Sequence, residues 1–247
     1  MTDQLGHRAR IAIVVPSTNT SCQPESELLR LPGVTNHIAR ISIRERPLTT
    51  EQAFMEHVQA MRDGMGSAIE QVMTCQPTHV IMGVALEAFW GGVAAADALQ
   101  RELAARAGVG VSMGSTAMVA ALRRHGARSI AVLTPHQPRG DEQVRRYFEE
   151  AGFGIPRLLG LKCPSPVQIA HVTRRQLIDA LRAIDGDDVD AIVQVGTNLA
   201  AIRTCAEAER WLGKPVLAIN AITYWDALRR AGIAEPLAGC GRTLEMF

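Results

Sequence analysis

The chain has 247 residues, 47% of them hydrophobic and 21% charged, with a formal net charge of +1 at pH 7. That length and apolar share are enough for a large buried core, and the near-neutral balance without any Lys/Arg block excludes the electrostatic footprint of a nucleic-acid or anionic-membrane binder. No apolar run reaches the roughly 18 residues of a spanning helix, and the stretch from Met1 to Arg8 has no signal-peptide core, so a cytoplasmic protein with a small-molecule partner is expected.

Taken in chain order, β-branched apolar runs predict strands at 10–15, 37–43, 78–83, 108–113, 129–134, 156–161, 190–195 and 215–219. Between them, amphipathic spacing predicts helices near 51–75, 92–107, 115–125, 141–151, 173–184, 201–212 and 223–231. Continuous apolar strands separated by helices indicate parallel sheet covered on both faces. Two strand-plus-loop units recur: Arg10-Ile-Ala-Ile-Val-Val-Pro-Ser17 pairs with Ser129-Ile-Ala-Val-Leu-Thr-Pro-His136, and Thr78-His-Val-Ile-Met-Gly-Val-Ala85 pairs with Asp190-Ala-Ile-Val-Gln-Val-Gly-Thr197. The expected fold is therefore α/β, with two pseudo-symmetric doubly wound parallel-sheet lobes and a ligand cleft between them. Residues 1–113 with about 218–247 form the first lobe and 114–217 the second, the last strand and helix crossing back.

Local chemistry marks the edges. Ser115 or Thr116 caps the helix after Met113-Gly114, and Gly126, Gly152 and Gly213 release helices toward the next strand. Five scattered cysteines, Cys22, Cys75, Cys163, Cys205 and Cys240, have no CxxC spacing, so neither a disulfide framework nor a zinc site is indicated. Cys22 is read as the cysteine near the cleft. His57, His125 and His171 lack carboxylate or cysteine partners at metal-ligand spacing, which gives them exposed or core-edge roles, and no metal is expected. Phosphate-binding glycine loops are absent, so no nucleotide or other cofactor is expected.

The residues at the strand ends carry a family likeness. Val15-Pro-Ser-Thr-Asn-Thr20, Gly114-Ser-Thr-Ala117, Val132-Leu-Thr-Pro135, Gly213-Lys-Pro-Val216 and Gly239-Cys-Gly-Arg242 resemble the aspartate/glutamate racemase superfamily, in its maleate isomerase and arylmalonate decarboxylase branch, from Arg10 to about Leu244. The resemblance implies a cofactor-independent isomerase, racemase or decarboxylase acting on a small carboxylate or dicarboxylate, in a homo-oligomer. It also implies a cysteine at one or both of two strand ends, where this chain has Val84 and Gly196. Both usual catalytic cysteines are thus read as missing. The hydroxyls that hold a departing carboxylate in the decarboxylase branch correspond to Val84 and Ala85.

What remains at the strand ends is a set of short polar groups. Ser17 to Thr20 offer hydroxyl, amide and backbone N–H donors at a strand-to-helix junction, and the resemblance matches Asn19 to a carboxylate-binding asparagine. The alternative reading, an Asx or Ser/Thr turn that only caps the next helix, is the less favoured one. Thr116, Thr197 and Asn198 are further candidates for anion contact at helix N-termini. His136 stands where the branch has a carboxylate-binding tyrosine, and it can titrate near neutrality, so an acidic fall in activity at about pH 6 to 7 is expected if it must be neutral. Glu87, in the apolar stretch from Val84 to Gly92, has the surroundings that raise a carboxyl pKa into the useful range of a base, with Phe89 and Trp90 as walls. Its alternative role is a helix cap or salt bridge. Three functions stay open: proton transfer at carbon with Glu87 and His136 as acid and base, hydrolysis of an amide or ester of a small acid with Glu87 activating water, and carboxylate binding without catalysis.

Overall fold

The computed structural model describes residues 3–247. Met1 and Thr2, the start of the stretch read for a targeting signal, lie outside the described residues. Among the described residues, eight strands form two four-stranded parallel sheets. In chain order these strands are β1 (Ala9–Pro16), β2 (Val34–Ile41), β3 (His79–Met82), β4 (Gly110–Met113), β5 (Ser129–Thr134), β6 (Gly154–Gly160), β7 (Ala191–Gln194) and β8 (Val216–Ala218). The first sheet runs β2-β1-β3-β4 and the second β6-β5-β7-β8, the same order shifted by four strands. β1 and β5, interior strands of the two sheets, are apolar and buried on both faces, at Ile11 to Val15 and at Ile130 to Leu133, as parallel strands between helical layers must be. Pro16 ends β1, where its missing N–H costs no ladder bond.

The helices are α1 (Cys22–Leu28), α2 (Glu51–Met73), α3 (Leu86–Phe89), α4 (Gly92–Ala107), α5 (Gly114–Arg124), α6 (Pro138–Glu150), α7 (Arg174–Ile184), α8 (Ile202–Leu212), α9 (Ile219–Arg230) and α10 (Arg242–Met246). Thr50 caps α2 by accepting from Ala53 N, and the helix buries Phe54, Val58, Met61, Met65, Ala68, Ile69 and Val72 at spacings of one, three or four residues, a single apolar stripe. Thr173 and Gln176 form a capping box on α7. α6 begins three residues ahead of the expected 141 because Pro138 suits the first helical turn. α5 begins at Gly114, so Ser115 and Thr116 lie inside its first turn rather than capping it. Among the described residues no helix is long and apolar enough to cross a membrane.

One helix, α9, carries the chain from the second sheet back to the first. The last strand does not cross back: β8 pairs with β7, Val193 opposite Leu217. The helix that follows leaves the second sheet at once, and α9 packs on α1, β3 and β4 of the first and on α5. Close approach of α5 and α9 requires Gly114, since a Cβ there would meet Ile219 Cδ1 at 2.6 Å. A buried relay anchors α9: His79 Nε2 and Ser112 Oγ are 2.8 Å apart, Ser112 Oγ donates to Asp226 Oδ2 at 2.5 Å, and Arg230 Nε donates to that oxygen at 2.7 Å.

Candidate active site

The carboxyl ends of β1, β3, β5 and β7 meet between the sheets, the place where open parallel sheets hold ligands. The contact is direct, because Thr197 Oγ1, beyond β7, donates to Gly83 O, beyond β3, at 3.0 Å. Around this junction lies a cavity of about 80 Å³ open to water-sized molecules, which is room for several waters or one small acid. Asn19, Ala85, Glu87, His136, Gly196, Thr197 and Asn198 all line it. Leu48, Phe54, Met61, Leu86 and Ile169 make an apolar side, and no arginine or lysine lines it among the described residues.

Glu87 sits in the single turn α3 and is 4% exposed. Its Oε1 has no hydrogen-bond partner among the described residues, so neither the cap nor the salt bridge that would explain it structurally engages that oxygen. Burial pushes the carboxyl up to about 7, offset in part by its own backbone N–H and by the charge of Arg62. A carboxyl in that range exists in both forms at neutral pH, as a proton-transfer group must. Of the two aromatic walls expected beside it, Phe89 is turned into the core against Tyr147, ring centroids 5.1 Å apart. Trp90 lines a separate groove between α2 and α4 that also touches Glu87. Leu48 and Phe54 supply the apolar wall instead.

His136 begins the loop after β5, where its N–H donates to Thr134 Oγ1 at 3.0 Å and its carbonyl accepts from Lys162 N at 3.2 Å. Gly140 lets the ring pack on the first turn of α6, since a Cβ there would lie 2.8 Å from His136 Cβ. Nε2 is buried and has no partner among the described residues. Burial, and then the charge of His57, lower the imidazole to about 4. The titration near pH 6 to 7 expected for a free histidine is therefore moved well below neutrality, and the ring is neutral wherever Glu87 titrates. His57, expected to be an edge residue, also lines the cavity, and burial and Arg46 lower its pKa.

The short polar residues divide differently from the expectation. Asn19, 2% exposed, accepts from Ser21 N and Cys22 N at 3.0 and 2.9 Å, which caps α1, and donates through Nδ2 to Thr197 Oγ1 at 3.1 Å. Asn198 accepts from Thr20 N at 2.8 Å and donates to Pro166 O at 2.9 Å. These side chains tie the two halves together across the floor of the cavity. Nor does the N-terminus of α8 aim free donors into the gap: Glu25 Oε1 accepts from Ala201 N and Ile202 N, both at 2.8 Å, and its Oε2 accepts from Asn220 Nδ2 at 2.7 Å. The hydroxyls of Thr18 and Ser165, also on the lining, are the short polar groups not consumed in this way.

Three candidates lie off the cavity. Ser17 is exposed, its Oγ donating to Ile43 O at 3.2 Å. Val84 is 1% exposed and belongs to the core, so Ala85 to Glu87 form the wall there. Thr116 donates to Met113 O at 3.3 Å within α5 and does not reach the cavity. At the opposite wall, Gly196 has φ +113, and a Cβ there would lie 2.5 Å from Pro135 Cδ and Cγ, so Pro135 fills the space a side chain would use. Cys22 is sealed away from the cavity; a Cβ on Gly83 would come within 3.0 Å of its Sγ, and burial pushes its thiol up to about 12. The cysteine on the lining is Cys163, contrary to the expectation that Cys22 stands nearest.

Known proteins share this architecture. The maleate isomerase of Nocardia farcinica is 25% identical over 243 residues, 95% of either chain. The arylmalonate decarboxylase of Bordetella bronchiseptica is 29% identical over 168 residues, 67% of this chain and 70% of that one. A structure of a cysteine-to-serine mutant of the Nocardia farcinica maleate cis-trans isomerase, with a covalently bound succinylcysteine intermediate, superposes with a TM-score of 0.87 at 24% identity, covering 96% of this chain and 98% of that one. The homologues are thus isomerases and lyases, and since residues 13–244 match the model for arylmalonate decarboxylase, the chain belongs to that family.

Proposed function

We propose that this protein is a cofactor-independent enzyme that moves a proton at a carbon atom of a small carboxylate, as an isomerase, racemase or decarboxylase, with Glu87 as base and neutral His136 as a hydrogen-bonding group for the substrate. The observation that carries this reading is that Glu87 and His136 line one cavity and that each has a buried polar atom, Oε1 and Nε2, without a partner among the described residues. Buried polar groups in folded proteins are almost always satisfied, and two such exceptions in one small space are reasonably explained by a ligand. A base near pH 7 and an imidazole that stays neutral divide the work: one accepts a proton, and the other stabilises developing charge by a hydrogen bond without adding a cation.

The relatives support the substrate class, since one is named for maleate and another for arylmalonates. The Nocardia farcinica isomerase carries a succinylcysteine, whereas the two strand ends expected to carry thiols read Val84, buried in the core, and Gly196, packed against Pro135, in this chain. That difference is why the acid/base roles are given to a carboxyl and an imidazole. The apolar side formed by Leu48, Phe54, Met61, Leu86 and Ile169 suits a carboxylate carrying an alkyl or aryl substituent. Thr18 and Ser165 are the hydroxyls available to hold its carboxylate.

The test is turnover in D2O of maleate, phenylmalonate and optically pure mandelate and aspartate, followed by proton NMR. Deuterium should appear at carbon in at least one acid, and Glu87→Gln should slow that reaction by about 100-fold or more. Tight binding with no incorporation across the panel, or wild-type rates in both Glu87→Gln and His136→Asn, would refute the reading.

A further inference from the structure

Cys163 lies in the loop that leaves β6, on the second-sheet side of the cavity. Its N–H donates to Pro135 O at 2.9 Å and its carbonyl accepts from Gln137 Nε2 at 3.0 Å. With both main-chain groups bonded to the loop that carries His136, the partly buried thiol is the polar group this residue has left to offer the cavity. None of Cys22, Cys75, Cys205 or Cys240 lines the same space. Glu87, in the turn that follows β3 of the first sheet, lines the same cavity; it is 4% exposed, with Oε1 unpartnered among the described residues, which independently marks the space as built for a ligand.

Resting on the proton-transfer reading above, we infer that Cys163 is a further catalytic residue of this cleft, the acid that returns a proton to substrate carbon from the wall opposite Glu87. In the first half of the step the C–H bond beside the carboxylate breaks, its proton passes to Glu87 Oε1, and the electron pair is held by the adjacent carboxylate. In the second half the S–H bond of Cys163 breaks as a new C–H bond forms on the other face, which leaves a thiolate. Glu87 then gives its proton to water and the thiolate takes one back, so nothing is oxidised or reduced. Burial raises the Cys163 thiol pKa, which keeps it in the protonated form that a proton donor needs.

Two measurements on the intact protein test this. In D2O with optically pure mandelate and aspartate, Cys163→Ala should exchange deuterium with retained configuration within about threefold of wild type while forming inverted product about 100-fold more slowly. Cys163→Ser, which keeps a small polar side chain, should show the same split. Inversion at the wild-type rate in either variant overturns the role of Cys163 and leaves the role of Glu87 standing; absence of exchange by wild type with both acids overturns the role of Cys163, and absence with maleate and phenylmalonate as well overturns both. The second measurement is the ratio of alkylation rates by iodoacetate and iodoacetamide at each cysteine, read by peptide mass spectrometry. A carboxylate-accepting cavity should make that ratio at Cys163 about tenfold that at exposed Cys75, and equal ratios would contradict the assignment.

Discussion

Replacing Glu87 by glutamine isolates the energetic cost of holding a carboxylate in this cleft. The folded carboxyl takes a proton at about 7 against an ordinary 4.5, because burial penalises its charged form. Below pH 4.5 the group is protonated in folded and unfolded chains alike, and its contribution to stability is fully present. As pH rises toward about 7 the unfolded chain ionises first, so this stability is progressively lost, and above 7 the loss is complete. The gap between 4.5 and about 7 corresponds to about 3 kcal/mol. Glu87→Gln has nearly the same shape and no titration. Subtracting wild-type from variant stability removes the contributions of other titrating groups, His57 and His136 included, to the extent that they do not couple to Glu87. Urea denaturation from pH 4.5 to 8 should therefore find the two proteins alike at the acid end and the variant more stable by about 2 to 3 kcal/mol at the alkaline end. A difference that stays constant across this range would refute the buried, partnerless state of Glu87.

Activity should rise through about pH 7 as Glu87 ionises and then level off; this limb should persist in His136→Asn, whose imidazole titrates at about 4 in the parent, and its disappearance in that variant would reassign it to the histidine. Ser112→Ala leaves His79 Nε2 and one bond to Asp226 unmade in the buried relay under α9, and should cost about 1 to 3 kcal/mol in urea denaturation; a change under about 0.5 kcal/mol would show that the relay is not structural. Gly196→Ala should destabilise by about 2 kcal/mol or more, since φ +113 and Pro135 at 2.5 Å both oppose a Cβ; a neutral effect would mean that the loop shifts readily.

The sheets were legible because parallel strands covered on both faces have to be continuously apolar, a local property. The strand at 129–134 and the helix at 92–107 coincide with β5 and α4 at both ends. β2 begins earlier than expected, at Val34, because its residues are only partly buried and the apolar pattern is correspondingly weak. The expected elements omit α1, α3 and α10: the first has seven residues with Pro24 and few apolar ones, the second is a single turn inside an apolar loop, and the third has only five residues. Within the cavity, Glu87, His136, Asn19 and Gly196 could be picked out because each follows a strand end. Leu48, Phe54, His57, Cys163 and Ser165 could not, since they come from the start of α2, the segment before it and the loop after β6, which meet only in three dimensions. Leu48 N donates to Pro164 O at 2.8 Å, joining two of those segments. The other hidden feature is internal competition: Asn19 and Asn198 look like ligand groups in sequence, yet each is occupied by a partner more than 170 residues away, as is Glu25.

The most direct measurement is a crystal structure grown with maleate and, separately, with phenylmalonate. A carboxylate seated between the two sheets, with an atom of the acid within hydrogen-bond distance of Glu87 Oε1 or His136 Nε2 and its substituent against Phe54 and Leu86, is the expected result. Density for either acid only outside the cleft, with the two buried polar atoms still unpartnered, would contradict it.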